Sequence, residues 1–264
     1  MFIYVWKHFL VLALALGATQ ALVAQPCLAQ DDSGLVSTIQ QVKPSIVAVG
    51  SYYLKDVPKA RFFGTGFAVG HGRHVITNYH VLEKIAEEKR DRYLRIFHRQ
   101  LDSLGVAAEI VVQDEKHDLA VLKLSHGRLP PLGLGDSSRV REGQDIAFTG
   151  YPIGFVLGLN PTTHTGIISA IAPIILPSPT AKAIQGKHVA YLRDPFEIFQ
   201  IDAEAFPGNS GSPLYLTRSG EVVGVVNMVF VHDKKENLLK EPTGITYAIP
   251  INHARALLAE ALSQ

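Results

Sequence analysis

The stretch Phe206-Pro207-Gly208-Asn209-Ser210-Gly211-Ser212-Pro213-Leu214 places a serine in a glycine-flanked turn just before an apolar run. A serine hydroxyl is a poor nucleophile at neutral pH unless a base takes its proton. Gly208 lets the backbone turn so that its own N–H and that of Ser210 face one point, where an oxyanion can sit. Two segments further out supply the remaining groups. In Gly64-Thr65-Gly66-Phe67-Ala68-Val69, followed by Val75-Ile76-Thr77-Asn78-Tyr79-His80-Val81, an apolar strand delivers a histidine at its end. In Asp114-Glu115-Lys116-His117-Asp118-Leu119-Ala120-Val121-Leu122-Lys123-Leu124, an aspartate stands immediately before a strand that reads as buried. An imidazole, with an ordinary pKa near ~6.5, takes the serine proton and returns it to a leaving group. A buried aspartate fixes the imidazole tautomer. Each piece alone is an ordinary turn or strand end. The order His80, Asp118, Ser210, each in a matching local context, is what carries the reading.

Composition narrows the classes around this constellation. The chain has 264 residues, 25 Lys+Arg against 24 Asp+Glu, and one cysteine. Near-neutral charge argues against nucleic acid or an anionic membrane surface as the main partner, since both need a basic excess. A single cysteine excludes a disulfide scaffold and a cysteine-based zinc site. His71 and His74 flank a turn at Gly72, and no HExxH or second ligand cluster follows, so neither a metal nor another cofactor is expected.

Residues 1–29 read as a secretory signal peptide. Lys7 and His8 precede the apolar run Phe9–Ala18, and small residues follow at Ala21, Ala24 and Ala29. Cleavage is expected near Ala29, with Ala21 and Ala24 as alternatives and an uncleaved anchor as the competing reading. Ala24-Gln25-Pro26 before Cys27 does not look like a lipoprotein box. No later apolar stretch approaches the ~20 residues of a membrane span, so the expected product is exported, periplasmic or secreted, with no stable membrane insertion.

From Asp31 onward the chain alternates short β-type runs with turn residues. A first helix is expected with Asp31-Asp32-Ser33 as cap, Leu35, Val36, Ile39 and Val42 as apolar positions, and Pro44 as its end. Strands are expected at 46–49, 66–69, 74–77, 93–97, 107–112, 119–124, 145–149, 166–172, 199–201, 213–215, 222–226 and 246–248. Short helices are expected at 81–89 and 252–263. Many short strands at regular spacing indicate an all-β sandwich or pair of barrels. Residues 173–198 hold four prolines and read as a long loop of the functional or mobile kind.

These segments resemble the chymotrypsin-fold serine proteases, and the HtrA/Deg-type branch in particular. The matching pieces are Val42-Lys43-Pro44-Ser45-Ile46-Val47, Thr77-Asn78-Tyr79-His80-Val81, His117–Leu124, Gly150-Tyr151-Pro152-Ile153-Gly154, Thr165–Ala170, Gly208–Pro213 and Gly244–Pro250. The resemblance implies two six-stranded antiparallel β-barrels, over about 45–127 and 128–250, with a terminal helix at 252–263. It implies polypeptide substrates, a homotrimer, and one protease domain over 30–264. It makes His80 the general base, Asp118 its orienting partner and Ser210 the nucleophile, with an oxyanion hole at Gly208, Asn209 and Ser210.

Departures from that pattern matter too. Relatives carry PDZ domains after the protease, and only 14 residues follow Pro250 here, so control is expected from the protease domain, its loops or a partner. The segment 51–63 is short for the loop that builds large cages. Asn209 stands where trypsin-like zymogens have an aspartate, and an amide cannot pair with a newly cut amine. Loops around 150–165 and 173–198 are instead expected to order the oxyanion hole. Glu204, six residues before Ser210, falls at the floor of the specificity pocket: inside it would favour Lys or Arg before the cut, and outside it would face solvent or pair with a base. Asn227, Met228 and Val229 are the expected pocket wall and substrate-pairing strand. Glutamyl endopeptidases place a histidine in that strand, and this chain does not.

The expected function is hydrolysis of unfolded or extended polypeptides. A second reading is a catalytically silent, chaperone-like binding module on the same fold. An esterase is disfavoured, because Ser210 is not in G-x-S-x-G and the triad order differs from that of α/β-hydrolases.

Overall fold

The computed structural model describes residues 33–88, 93–152, 160–174, 194–229 and 245–264. The segment 1–29 expected to be a signal peptide, the cap residues Asp31 and Asp32, residues 153–159 of the expected 150–165 loop, most of the loop 173–198, and the side chains of Met228 and Val229 lie outside the described residues. Six strands, β1 (Ile46–Tyr52), β2 (Ala60–Val69), β3 (His74–Thr77), β4 (Tyr93–Phe97), β5 (Val106–Asp114) and β6 (Leu119–Leu124), close into an antiparallel barrel in the order β1-β2-β3-β6-β5-β4. Six more, β7 (Asp145–Gly150), β8 (Thr162–Pro173), β9 (Glu197–Ile201), β10 (Pro213–Leu216), β11 (Val222–Val229) and β12 (Ile245–Pro250), close into a second in the order β10-β11-β12-β9-β8-β7. Closure removes every edge strand, which is how short, strongly apolar strands avoid pairing with other chains.

Alternation along the strands builds three apolar layers. In the first barrel Val47, Val49, Ala68, Ala120, Leu122 and Leu124 face inward. In the second, Ile146, Phe148, Leu214, Val226 and Ala248 do the same. The residues between them point the other way: Ile46, Ala48, Phe67, Val121, Ala147, Tyr215, Val225, Tyr247 and Ile249 form one layer that joins the barrels. Successive side chains of a strand face opposite sides, so a run such as Ile46–Val49 looks continuously apolar because both sides are covered. Tyr151 crosses this joint, donating its hydroxyl to Ile46 O at 3.2 Å. Burial pushes its phenol up to about 12, against a small opposing effect of Arg99.

Among the described residues three α-helices accompany the barrels: α1 (Ser33–Val42), α2 (Tyr79–Ala86) and α3 (Ile251–Ser263). In α3, Ile251, Ala254, Leu257, Leu258 and Ala261 repeat at helical spacing and are buried in the joining layer. Asn252 clasps its N-terminus, donating Nδ2 to Asp136 Oδ1 at 2.9 Å and N–H to Ser137 Oγ at 3.1 Å. Two sequence expectations are corrected. Val36 is 51% exposed while Thr38 is buried, so the inner face of α1 runs through Leu35, Thr38, Ile39 and Val42. The second helix begins at Tyr79, before the expected Val81, because Asn78 already occupies the extended N-cap conformation. His80 therefore sits in a first helical turn. Among the described residues no helix is long and apolar enough to cross a membrane.

Candidate active site

The histidine and the aspartate come from the first barrel. Val81, Leu82 and Ile85 bury α2 against that barrel, which aims His80 outward. Asp118 lies in the β5–β6 turn with a φ of 51°, a left-handed conformation uncommon for a side-chain-bearing residue. Its carboxylate grips His80 twice: Oδ1 accepts the His80 N–H at 2.7 Å, and Oδ2 lies 2.6 Å from His80 Nδ1. Its carbonyl accepts from Asn78 Nδ2 at 3.0 Å and from Tyr79 N–H at 3.2 Å. A carboxylate only accepts, so Nδ1 carries the imidazole proton and Nε2 is left as the base.

The serine comes from the second barrel, in the turn before β10. Asn209 N–H donates to Phe206 O and Ser212 N–H to Asn209 O, each at 2.9 Å, closing the turn on itself. The turn docks across the joint: Thr65 N–H donates to Ser210 O at 2.8 Å, and Thr65 Oγ1 to Gly208 O at 2.7 Å. Thr65 Oγ1 also accepts from Tyr151 N–H at 3.0 Å, and Thr65 O accepts from Thr77 Oγ1 at 2.7 Å. Glycines make the approach close enough. A Cβ at Gly64 would fall 2.6 Å from Val81 Cγ2 and 2.9 Å from Ser210 O, which puts the serine turn directly opposite the start of α2. Gly211, with φ of 88°, has no room for a Cβ, which would overlap Thr65 O.

Of the three residues expected to line an oxyanion hole, two keep their donors. The N–H groups of Gly208 and Ser210 meet no acceptor among the described residues. Asn209 is corrected: its N–H is already taken by Phe206 O, and its side chain is fully buried with no partner for Nδ2 or Oδ1. No hydrogen bond links Ser210 to His80 in this unliganded arrangement, in which catalytic contacts are commonly long.

The expected pocket residues divide. Glu204 is exposed between buried Ala203 and Ala205, and its negative charge acts on His164, whose pKa burial nevertheless lowers. Asn227, expected in the pocket wall, turns its amide toward Asp118. Its Nδ2 donates to Asp118 Oδ2 at 2.6 Å. A bulge explains the turn of face. Leu214 pairs with Gly224 and Tyr215 with Val222, which leaves Val223 as an extra residue in β11. Beyond it Val225 and Asn227 face the joining layer, while Val226 faces the barrel interior. Met228 and Val229 pair through their backbones with Thr246 and Ile245. Thr65 and Asn227 are the site residues that sequence reasoning missed or misplaced. A threonine in a strand is an ordinary β-former, and only the bulge betrays the asparagine.

Two closed barrels with an Asp–His pair on one and a glycine-flanked serine turn on the other define the architecture of a chymotrypsin-type serine peptidase. The chain belongs to the trypsin-like peptidase domain family, whose model matches residues 64–225, more than half of its length. It is 30% identical to Serine protease HTRA1 of Xenopus laevis over 86% of this chain and 43% of that protein. It is 32% identical to a probable periplasmic serine endoprotease DegP-like of Hahella chejuensis over 77% and 36% respectively. The chain thus spans less than half the length of either. Among solved structures it is similar to Deg5, with a TM-score of 0.60 and 27% identity over 87% of this chain and 94% of that one. The HtrA-type protease AlgW with tripeptide, at 23% identity, shares the fold with a TM-score of 0.60 over 85% of this chain and 62% of its own.

Proposed function

We propose that this chain is a serine endopeptidase that cleaves extended polypeptide through His80, Asp118 and Ser210. The observation that carries the reading is the double grip of Asp118 on His80, beside a serine turn docked across the joint by Thr65. Ser210 Oγ attacks the scissile carbonyl as its proton passes to His80 Nε2. The N–H groups of Gly208 and Ser210 receive the oxyanion, and removing such a donor typically costs about 2.7–4 kcal/mol of transition-state stabilisation. His80 then gives the proton to the leaving amine, and water releases the acyl group by the same route in reverse. Asp118 keeps its negative charge and stabilises the imidazolium. Glu204 is exposed, the solvent-facing one of its two expected placements, so no Lys or Arg preference is assigned to it; the β11 backbone at Met228 and Val229 pairs with the substrate strand.

The same reading takes residues 1–29 as an export signal, with support from the Hahella relative, a probable periplasmic endoprotease, and takes a homotrimer as the assembly, measurable by light scattering. Casein and a peptide library with varied residues before the cut test the activity. Wild-type protein should cleave and bind a fluorophosphonate covalently, while Ser210→Ala should do neither; equal hydrolysis by both would end the proposal. A second reading, a gated module that binds polypeptide with its oxyanion turn unformed, draws support from the open Ser210–His80 contact and the unpartnered Asn209 amide and Ser212 Oγ. It predicts peptide binding without fluorophosphonate labelling.

A further inference from the structure

Asp118 shares its turn with a second aspartate that holds a histidine. Asp114, the last residue of β5, accepts the His117 N–H at 3.0 Å through Oδ1 and meets His117 Nδ1 at 2.5 Å through Oδ2. The His117 ring stacks on His253 in the first turn of α3, with centroids 3.9 Å apart and planes inclined by 21°. Phe196, just before β9, meets both rings at steep angles, at 4.7 Å and 5.5 Å. Lys116 and Asp194 form an ion pair at the same place. Three parts of the molecule therefore converge here: the turn that carries Asp118, the approach to β9, and the C-terminal helix.

We propose that His117 and His253 are positioning residues for Asp118, and that their stack is a proton-operated brace. With at most one of the two rings an imidazolium the turn is held against α3, and protonation of the second parts the rings and frees the turn. The inference rests on Asp118 as the carboxylate that orients His80.

The turn needs a brace. Asp118 has a φ of 51°, and a non-glycine residue stays in that region only when its surroundings over-determine it. His117 and Asp118 are consecutive, so immobilising one limits the other. On the Asp118 side, His80, Asn78 and Asn227 hold it. On the His117 side, Asp114, His253 and Phe196 do.

Charge gives the brace its limit. One carboxylate, Asp114, faces two imidazoles, and the only other charges facing them among the described residues are Lys116 and Asp194, which neutralise each other. One imidazolium is matched by Asp114. A second would lie face to face with the first in a half-buried site. Burial, then the charge of His117, then that of Lys116 hold His253 down to about 4, with Asp114 acting in the opposite direction. The folded value is below the ordinary ~6.5 of histidine, so the native state takes this proton less readily than the unfolded chain. The contact is at full strength above ~6.5 and is lost as pH falls toward that folded value.

The test compares the full chain with His253→Phe, which keeps a ring for His117 but no proton, and with His117→Asn, which keeps a donor for Asp114. Hydrogen exchange at residues 115–118 should match in wild type and His253→Phe at pH 7.5 and be faster in His117→Asn, which has no ring to stack. At pH 5 the wild type should exchange about tenfold faster than His253→Phe, as expected for local opening. The acid limb of kcat/KM should steepen in the wild type beyond the single proton of the general base, and revert to one proton in His253→Phe and His117→Asn. Exchange that differs equally between wild type and His253→Phe at both pH values, exchange in His117→Asn equal to wild type at pH 7.5, or an identical acid limb in all three proteins, would overturn the brace. Loss of fluorophosphonate labelling at Ser210 would instead strike the peptidase reading, and the exchange measurement would still report on the joint.

Discussion

Two Asp–His pairs draw their aspartates, Asp114 and Asp118, from one turn, with nearly identical hydrogen bonds. Asp118 meets His80 Nδ1 at 2.6 Å, and Asp114 meets His117 Nδ1 at 2.5 Å. Their exposures are also alike, 22% and 17% for His80 and Asp118 against 16% and 27% for His117 and Asp114. They differ in what each imidazole faces. His80 sits in α2, whose Val81 lies opposite a serine turn with two N–H donors that meet no acceptor among the described residues, whereas His117 looks into the ring of His253. An Asp–His hydrogen bond fixes a tautomer and a ring orientation. It becomes chemistry only where a nucleophile and a site for developing negative charge stand on the far side. Near-equal local geometry can thus serve reaction in one place and support in another.

The sharpest way to break this contrast is to neutralise each carboxylate in turn. Asp118→Asn should leave the backbone intact while stabilising the wrong imidazole tautomer, and kcat/KM should fall by about 10⁴. Asp114→Asn should change kcat/KM at pH 8 by no more than about threefold, since it touches no reacting atom. Steady-state hydrolysis of one peptide by both variants decides it. Equal losses would mean that the two pairs form one functional unit.

A smaller effect sharpens the description of the catalytic pair. Asn227 donates to the same Asp118 oxygen that faces His80. A hydrogen bond to a charged group contributes roughly 1.5–3 kcal/mol, so Asn227→Val should lower kcat by about 10- to 100-fold. KM should stay near the wild-type value across peptides that differ before the cut. A change confined to KM and dependent on that residue would return Asn227 to the pocket wall, where sequence reasoning put it.

That misplacement marks where the sequence stops being legible. The strands could be read because period-two alternation and turn residues are local: β3, β4 and β6 were expected at 74–77, 93–97 and 119–124 and are observed there. The polar start of β8 at Thr162–Thr165 was missed because its residues carry no apolar signal, and its pairing with β7 is what makes it a strand. His80, Asp118 and Ser210 could be proposed because each sits in its own local context, and the structure brings Asp118 and His80 into hydrogen-bond contact. The place of Asn227 was not legible, because one extra residue at Val223 reverses the face of everything after it, and a bulge depends on the partner strand. Thr65 and His253 escaped for the same kind of reason: their partners Gly208 and His117 are more than a hundred positions away.

The smallest effect separates the two pairs by stability. Burial pushes the Asp114 carboxyl up, but the hydrogen bonds and charge of His117 outweigh it and hold the group below its ordinary value. A carboxylate with a depressed folded pKa contributes stability that is complete above the unfolded value, ~3.9, and disappears as pH falls through the folded one. Asp114→Asn should therefore cost about 1 kcal/mol at pH 7, a lowering of Tm by roughly 2–4 °C for a domain of this size. The gap between the two melting curves should shrink as pH drops below ~3.9 and close in stronger acid, where the wild-type carboxyl is protonated as well. A gap that persists unchanged in acid would mean that Asp114 supports the turn by shape alone, and that its charge contributes nothing to holding His117 in place.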